Sequence, residues 1–149
     1  MEQAAIACSR LSSKVVTGEI LDTNSVKDLR VFLPAEDYAL AKQFYLDLGF
    51  TMVWGSDELT CFQAGQYRFL LQNYYDKRGA GQFMMHLMVE DADVWWEHIQ
   101  AIKLAEKYAG IMCKPPTLQP WGLRVLYLSD PSGVLWHIAD EKKVAAARQ

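Results

Sequence analysis

One hydrophobic pattern occurs twice in the chain, and its two copies lie 54 residues apart. Glu36-Asp37 opens a predicted helix over residues 36–48, and Glu90-Asp91 recurs at the same place in the second copy. The first helix has one apolar stripe at helical spacing, formed by Leu40, Ala41, Phe44, Tyr45 and Leu48. The shifted stripe is formed by Val94, Trp95, His98, Ile99 and Ile102. Only His98 is polar, so an internal duplication with two similar halves is predicted.

Each predicted helix is preceded by one predicted strand and followed by three more. The first strand shows a two-residue alternation through Leu29, Val31 and Leu33 and ends at Pro34. The other strands are predicted at residues 50–54, 59–64, 67–74, 83–89, 111–113, 123–129 and 134–139. We therefore expect an α+β fold in which tandem βαβββ repeats form curved antiparallel sheets around a cavity.

The two ends of the chain lie outside this duplication. Residues 1–25 are predicted to form an N-terminal extension with a short strand at 15–21, and residues 141–149 a polar, alanine-rich tail. Residues 26–140 are predicted to form a single domain made of two units, 26–78 and 82–140. A hydrophobic content of 51% is enough for the core of a domain of this size.

The composition excludes several classes of partner. Charged residues make up 22% of the chain and the net charge is -3, so we expect no nucleic-acid partner. The apolar run at residues 4–8 is too short for a signal peptide, and no stretch approaches the roughly 20 apolar residues of a spanning helix, so we expect no membrane partner. Cys8, Cys61 and Cys113 are odd in number and far apart, which favours a reducing, cytoplasmic location.

Six short segments, taken in order and spacing, resemble one known superfamily. The segments are Phe32-Leu33-Pro34-Ala35-Glu36-Asp37, Phe44-Tyr45, Leu48-Gly49-Phe50, Pro120-Trp121-Gly122, Asp130-Pro131-Ser132-Gly133 and Trp136-His137-Ile138. They are similar to segments of the vicinal oxygen chelate proteins, which include glyoxalase I, the bleomycin and fosfomycin resistance proteins and the extradiol dioxygenases. The resemblance covers residues 26–140 and is closest to the metal-free, bleomycin-resistance-like branch. A shared fold does not by itself carry the chemistry.

The resemblance also implies where the enzymes of this superfamily bind a divalent metal. The four ligand positions correspond to Arg30, Leu70, Met84 and His137. Arginine has no lone pair to offer, and leucine and methionine are not the imidazole or carboxylate ligands that such cations prefer. A shifted register brings in His86 or Gln72, but still no carboxylate. We therefore expect no metal and no other cofactor.

The candidate catalytic side chains all have ordinary structural interpretations. His137 and His86 are interpreted as cavity-lining residues, and His98 as a packing residue of the second helix. An acid–base role stays open for the three histidines, because imidazole titrates near physiological pH. Cys61 falls in the middle of a predicted strand, whereas a reactive thiolate needs an electropositive, partly exposed site. No catalytic residue is predicted, which favours a binding protein over an enzyme.

Strand alternation predicts which side chains face the cavity. The predicted ligand-binding residues combine apolar or aromatic groups with a few polar anchors: Arg30, Phe32, Trp54, Leu70, Gln72, Tyr74, Met84, His86, Trp121 and His137. Trp54 and Trp121 fall at a strand end and in a loop, where they would flank the mouth of the cavity. Arg30 needs a partner on such a wall, and Asp28, Gln72 or an anionic group of a ligand would serve.

The leading hypothesis is a metal-free protein that binds a small apolar or aromatic molecule. The resemblance implies sequestration of a drug, hence antibiotic resistance, by a homodimer with ligand crevices between its chains. Bleomycin itself is cationic, whereas Asp28 is the only acid on the predicted cavity face, which argues against bleomycin itself as the ligand. A second hypothesis is a metal-dependent lyase, transferase or dioxygenase with an atypical ligand set that includes His137 and His86. A third is a structural or regulatory protein whose own side chains fill the cavity.

Overall fold

The computed structural model describes residues 20–142, which form eight β-strands and three α-helices. The first half contains β1 (Phe32–Pro34), α1 (Tyr38–Leu48), β2 (Thr51–Gly55), β3 (Leu59–Ala64) and β4 (Tyr67–Gln72). The second half contains β5 (Met84–Met88), α2 (Ala92–Ala101), α3 (Leu104–Lys107), β6 (Cys113–Leu118), β7 (Arg124–Ser129) and β8 (Leu135–Asp140). The strand predicted at 15–21 and the tail at 141–149 lie mostly outside the described residues. No helix within the described part is long and apolar enough to span a membrane.

The strands form two four-stranded sheets with the same topology. The strand order is β1-β4-β3-β2 in the first sheet and β5-β8-β7-β6 in the second. In each sheet the strand that precedes the helix pairs in parallel with the last strand of its half, and the other pairs are antiparallel. The predicted α+β fold is confirmed, with sheets that are mixed rather than purely antiparallel. The parallel pairs arise because the chain passes through a helix before it returns to the sheet.

Helix α1 begins and ends at residues that suit its termini. The Asp37 carboxylate accepts a hydrogen bond from the Leu40 N–H at 3.0 Å, as an N-cap residue does. Gly49 ends the helix with a φ of 106°, in the left-handed region that glycine tolerates. The helix therefore starts two residues later than predicted. Leu40, which was expected on the buried stripe, is exposed, and Tyr38 is buried instead.

Helix α2 occupies the corresponding place in the second half and contacts the end of α1. Its N-cap is Asp91, whose carboxylate accepts a hydrogen bond from the Asp93 N–H at 2.9 Å. On its predicted stripe Ile99 is buried, whereas Val94 is exposed. His98 Nε2 lies 3.1 Å from the Leu48 carbonyl oxygen, so this histidine joins the two helices through its polar tip.

One hydrophobic core joins the two halves. It combines Phe44 and Tyr45 of α1 with residues from the inner faces of both sheets. The Tyr45 ring centroid lies 4.9 Å from that of Phe69 in the first sheet and 5.9 Å from that of Trp136 in the second. Phe69 and Trp136 also contact each other, with ring centroids 5.4 Å apart. The faces of the sheets that carry these residues are called the core faces below.

A network of three hydrogen-bonded side chains lies inside this core. The Tyr45 hydroxyl donates to Asp130 Oδ2 at 2.7 Å and accepts from Trp136 Nε1 at 3.1 Å. Asp130 Oδ1 accepts from the backbone N–H groups of Ser132 and Val134, each at 2.9 Å. Burial raises the pKa of Asp130, and the hydrogen bonds that it accepts, that from Tyr45 first, oppose the rise. The network therefore holds a turn of the second half against the helix of the first.

A charged network fixes the start of α2. The Arg124 guanidinium donates to both carboxylate oxygens of Asp140, at 3.0 and 2.7 Å, and to Asp93 at 3.0 Å. Asp140 also accepts from the Ala92 N–H at 2.6 Å. The hydrogen bond from Arg124, ahead of the others, lowers the pKa of Asp140 to about 2.

Two strands differ from their predicted positions by more than two residues, β1 and β6. Leu29 is 89% exposed, and β1 starts only at Phe32, so the predicted alternation extends beyond the paired part of the strand. Strand β6 was predicted at residues 111–113 but runs through Pro115 and Pro116. It lies at the edge of its sheet, where a missing N–H is tolerated, and its register shifts between Lys114 and Thr117.

Candidate ligand-binding site

Each sheet has a second face, opposite its core face, which is called its open face below. On the first sheet the register aligns Phe32 with Leu70, Leu70 with Cys61, and Cys61 with Trp54. Because directly paired residues point to the same side, these four side chains form one row across the sheet. Gln72 lies in the next row, beside Pro34 and Leu59. Phe32 and Trp54 remain 47% and 43% exposed.

The open face of the second sheet carries three further predicted site residues. His86 pairs with His137, which in turn pairs with Tyr127, so the two histidines are neighbours in one row. Met84 lies in the adjacent row on β5 and is 61% exposed. Met88 lies on the other side of His86, with its Sδ atom 3.1 Å from His86 Nε2.

The remaining three predicted site residues lie outside the strands. Arg30 precedes β1, and its Nε donates to Asp28 Oδ2 at 2.7 Å, so the internal partner is the one observed. Tyr74 follows β4 and is exposed, while its backbone carbonyl accepts from the Ala35 N–H at 3.0 Å. Trp121 is exposed in the loop between β6 and β7. The structure therefore places these three side chains near the ends of the sheets rather than in the cross-strand rows.

His137 has the most unusual surroundings of the predicted residues. Its Nε2 atom is buried and has no hydrogen-bond partner among residues 20–142. Its ring lies 4.8 Å from that of Tyr127 at an interplanar angle of 78°, and 6.2 Å from that of His86. Burial, and then the charge of His86, lowers the pKa of His137. Burial thus favours the neutral form of this imidazole, and its Nε2 atom is not used by any of the described residues.

The residues at the expected metal positions do not fit a divalent cation. Arg30 is a cation already paired with Asp28, and Leu70 and Met84 carry no hard donor atom. Within the described part of the chain, no three His, Cys, Asp or Glu side chains are grouped so that they could hold an ion. Of the four expected positions, only His137 therefore carries a donor atom that suits such a cation.

A cleft of about 340 Å³ lies between the two halves, and sequence reasoning did not predict it. Its walls come from the β3–β4 hairpin and β4 on one side and from β5 on the other, with Trp136 between them. We call it the seam cleft. Of the ten predicted site residues, only His86 lines it. Its most polar wall residue, Arg68, lies two residues before Leu70, so the same alternation extended by one step would have grouped it with Leu70 but would not have placed it in a cleft between the halves.

Comparisons with known proteins identify the fold family. The family model described as the Glyoxalase/Bleomycin resistance protein/Dioxygenase superfamily matches residues 29–138. No curated protein matches the chain.

Solved structures with this fold include both binding proteins and an enzyme. A bleomycin-binding protein complexed with bleomycin is 22% identical with a TM-score of 0.67, over 78% of this chain and 100% of that one. An antibiotic-binding protein from Streptomyces sp. CB03234 is 20% identical with a TM-score of 0.61, over 79% and 98%. Lactoylglutathione lyase from Agrobacterium tumefaciens is 22% identical with a TM-score of 0.60, over 80% and 96%.

Sequence identities this low establish a shared fold but not a shared ligand or reaction. The family match extends over most of the chain and includes both sheets and both long helices. The duplicated topology and the family match agree, and the chain belongs to the Glyoxalase/Bleomycin resistance protein/Dioxygenase superfamily.

Proposed function

We propose that this protein binds a small apolar or aromatic molecule in the cytoplasm without altering it, and so sequesters a drug. The observation that carries the proposal is the chemistry of the open faces. They present Phe32, Trp54 and Met84 to solvent, and Met84 occupies one of the positions where the resemblance implies a metal ligand. Apolar walls with a few polar anchors are the usual composition of a small-molecule site. Bleomycin-binding and antibiotic-binding neighbours support this choice within the family.

The proposed assembly is a homodimer in which the open faces of two copies meet. Large apolar side chains exposed together on one face mark a surface that another molecule covers. Two such faces would enclose the ligand between chains and bury Phe32 and Met84. Light scattering is expected to give twice the mass of the single chain, and a monomer would remove this part of the proposal.

Calorimetric titration tests the binding proposal directly. The titrants are bleomycin-type compounds and flat aromatic compounds, and at least one is expected to bind. Phe32→Ala removes the ring from the row that includes Leu70 and Trp54, and it is expected to weaken that binding by about tenfold. Leu46→Ala is the matched control, because Leu46 is an exposed apolar residue of helix α1. Absence of binding for every compound would contradict the proposal.

A second candidate function is a metal-dependent lyase, transferase or dioxygenase that uses an atypical ligand set. His137 Nε2, which has no partner in the part of the chain that the structure describes and lies beside His86, supports this alternative. Elemental analysis of protein purified without chelators separates the two candidates. Stoichiometric zinc, iron, manganese or nickel that is lost in His137→Ala would replace the binding proposal with this one.

A further inference from the structure

The seam cleft lies between two strand edges that have no neighbouring strand among residues 20–142 at this place. Strand β1 begins at Phe32 opposite Leu70, so the first residues of β4 extend beyond it. Strand β5 is an outer strand of its sheet. Between them the aromatic rings of Phe50, Phe69 and Trp136 form an apolar floor. A volume of about 340 Å³ lies at the small end of the range of ligand pockets, roughly 300–1,000 Å³.

Arg68 on the wall of this cleft is the one arginine without a carboxylate partner in the described part of the chain. Arg30, Arg78 and Arg124 each lie within 4.0 Å of an aspartate oxygen. Arg68 is half-buried, and its only side-chain hydrogen bond within the described residues runs from Nε to Gln63 Oε1 at 2.7 Å. Its two terminal nitrogens are therefore free to donate. A half-buried guanidinium without an anion is costly, which makes this position suited to an anionic partner.

Asp28, whose charge interacts with that of Arg68, does not meet this need. Asp28 is close enough for Arg68 to help lower its pKa, but the hydrogen bond from Arg30 is the largest cause of that shift. The Asp28 carboxylate is held by Arg30 at 2.7 Å. The guanidinium of Arg68 thus remains available to a group that enters the cleft.

We infer that the seam cleft binds a small aromatic carboxylate. The ring of the ligand lies against Phe69 and Trp136, and its carboxylate accepts two parallel hydrogen bonds from the terminal nitrogens of Arg68. The planar fork of arginine matches the geometry of a carboxylate, and such charge-assisted pairs are about twice as strong as neutral ones. The inference rests on the proposed small-molecule binding. It specifies in addition that the ligand is anionic and that its binding site is formed by a single chain.

Calorimetric titration with 2-naphthoate and with 2-naphthamide tests the inference, because the two probes share ring and shape but not charge. The wild-type protein is expected to bind naphthoate about tenfold more tightly than the amide, equivalent to about 1.4 kcal/mol. Added salt is expected to weaken the binding of naphthoate and not that of the amide, because it screens a partly exposed ion pair.

Three variants locate the effect at Arg68. Arg68→Gln is expected to lose the preference for naphthoate and to keep the affinity for naphthamide. Arg68→Lys keeps the charge without the fork and is expected to retain part of the preference. Arg78→Gln is the matched control, because Arg78 is highly exposed and paired with Asp76. Circular dichroism confirms that each variant is folded.

The outcomes separate this inference from the proposed function. Equal binding of the two probes, or a preference that survives in Arg68→Gln, overturns the anionic ligand and leaves small-molecule binding standing. Failure of both probes to bind also overturns the inference. If bleomycin-type and flat aromatic compounds fail as well, the proposed function falls with it.

Discussion

Replacement of Tyr45 by phenylalanine removes a single oxygen atom from the buried network that joins the two halves. The aromatic ring and its contacts with Phe69 and Trp136 are retained. The change therefore acts on two hydrogen bonds. The Tyr45 hydroxyl donates one to Asp130 at 2.7 Å and accepts the other from the Trp136 indole at 3.1 Å.

The expected cost follows from these two bonds. A hydrogen bond to a charged group contributes about 1.5–3 kcal/mol, and a buried donor left without a partner costs about 1–3 kcal/mol. Asp130 keeps the hydrogen bonds from the backbone N–H groups of Ser132 and Val134, so values near the lower end of each range apply. We expect Tyr45→Phe to lower the free energy of unfolding by about 3 kcal/mol at neutral pH.

This loss is expected to depend on pH. Burial holds the pKa of Asp130 above its unfolded value, so the folded state binds more protons. The contribution of this group to stability is complete below the unfolded pKa and is lost as the pH rises through the folded pKa. The hydrogen bond from Tyr45 opposes the rise, so its removal raises the folded pKa further. The destabilisation by Tyr45→Phe is therefore smaller near pH 4 than at neutral pH.

Urea unfolding followed by circular dichroism measures both effects, provided that the m-value is unchanged. Tyr127→Phe is the matched control, because the Tyr127 hydroxyl forms no hydrogen bond to residues 20–142, and it is expected to leave the midpoint unchanged. A loss of less than about 1 kcal/mol at neutral pH would refute the estimate. Equal losses at both pH values would refute the role assigned to the Asp130 charge.

Two further substitutions test the interactions at the start of α2 and the end of α1. Arg124→Met removes the partner that lowers the pKa of Asp140 from 3.8 to about 2. The contribution of this ion pair to stability is present above the unfolded pKa of Asp140 and is lost as the pH falls through about 2. The variant is therefore expected to be less stable at neutral pH, and its free energy of unfolding, measured in urea, is expected to fall less steeply towards acid pH. Gly49→Ala places a side chain at a φ of 106° and is expected to cost about 1 kcal/mol, measured as a lower melting temperature, whereas an unchanged value would contradict the strain.

The sequence was sufficient to predict the duplicated architecture, because it depends on local periodicity. The helix stripe and the two-residue alternation predicted the strands and both long helices, and β3 has its predicted bounds. The exceptions depend on the surroundings of the chain. The alternation at Leu29 predicts a paired strand, but Leu29 is exposed and lies before the start of β1. Pro115-Pro116 is unfavourable for a strand in general, but β6 is an edge strand, which needs fewer N–H groups.

The candidate site was predictable only where it lies within one sheet. Alternation grouped Leu70 with Gln72 and Met84 with His86, and the register places each pair on one open face. The seam cleft forms between the two sheets, and its position depends on how the two halves pack, which no local pattern encodes. The bond between Tyr45 and Asp130, 85 positions apart, was missed for the same reason.

The shared core limits how the chain can be divided. Cleavage within the loop at residues 76–81 would give two fragments, one with Tyr45 and one with its partners Asp130 and Trp136. Each fragment would expose half of an aromatic interior and one side of a broken polar network. Neither fragment should therefore fold alone, and mixing the two should restore the native spectrum, because each supplies the surface that completes the other.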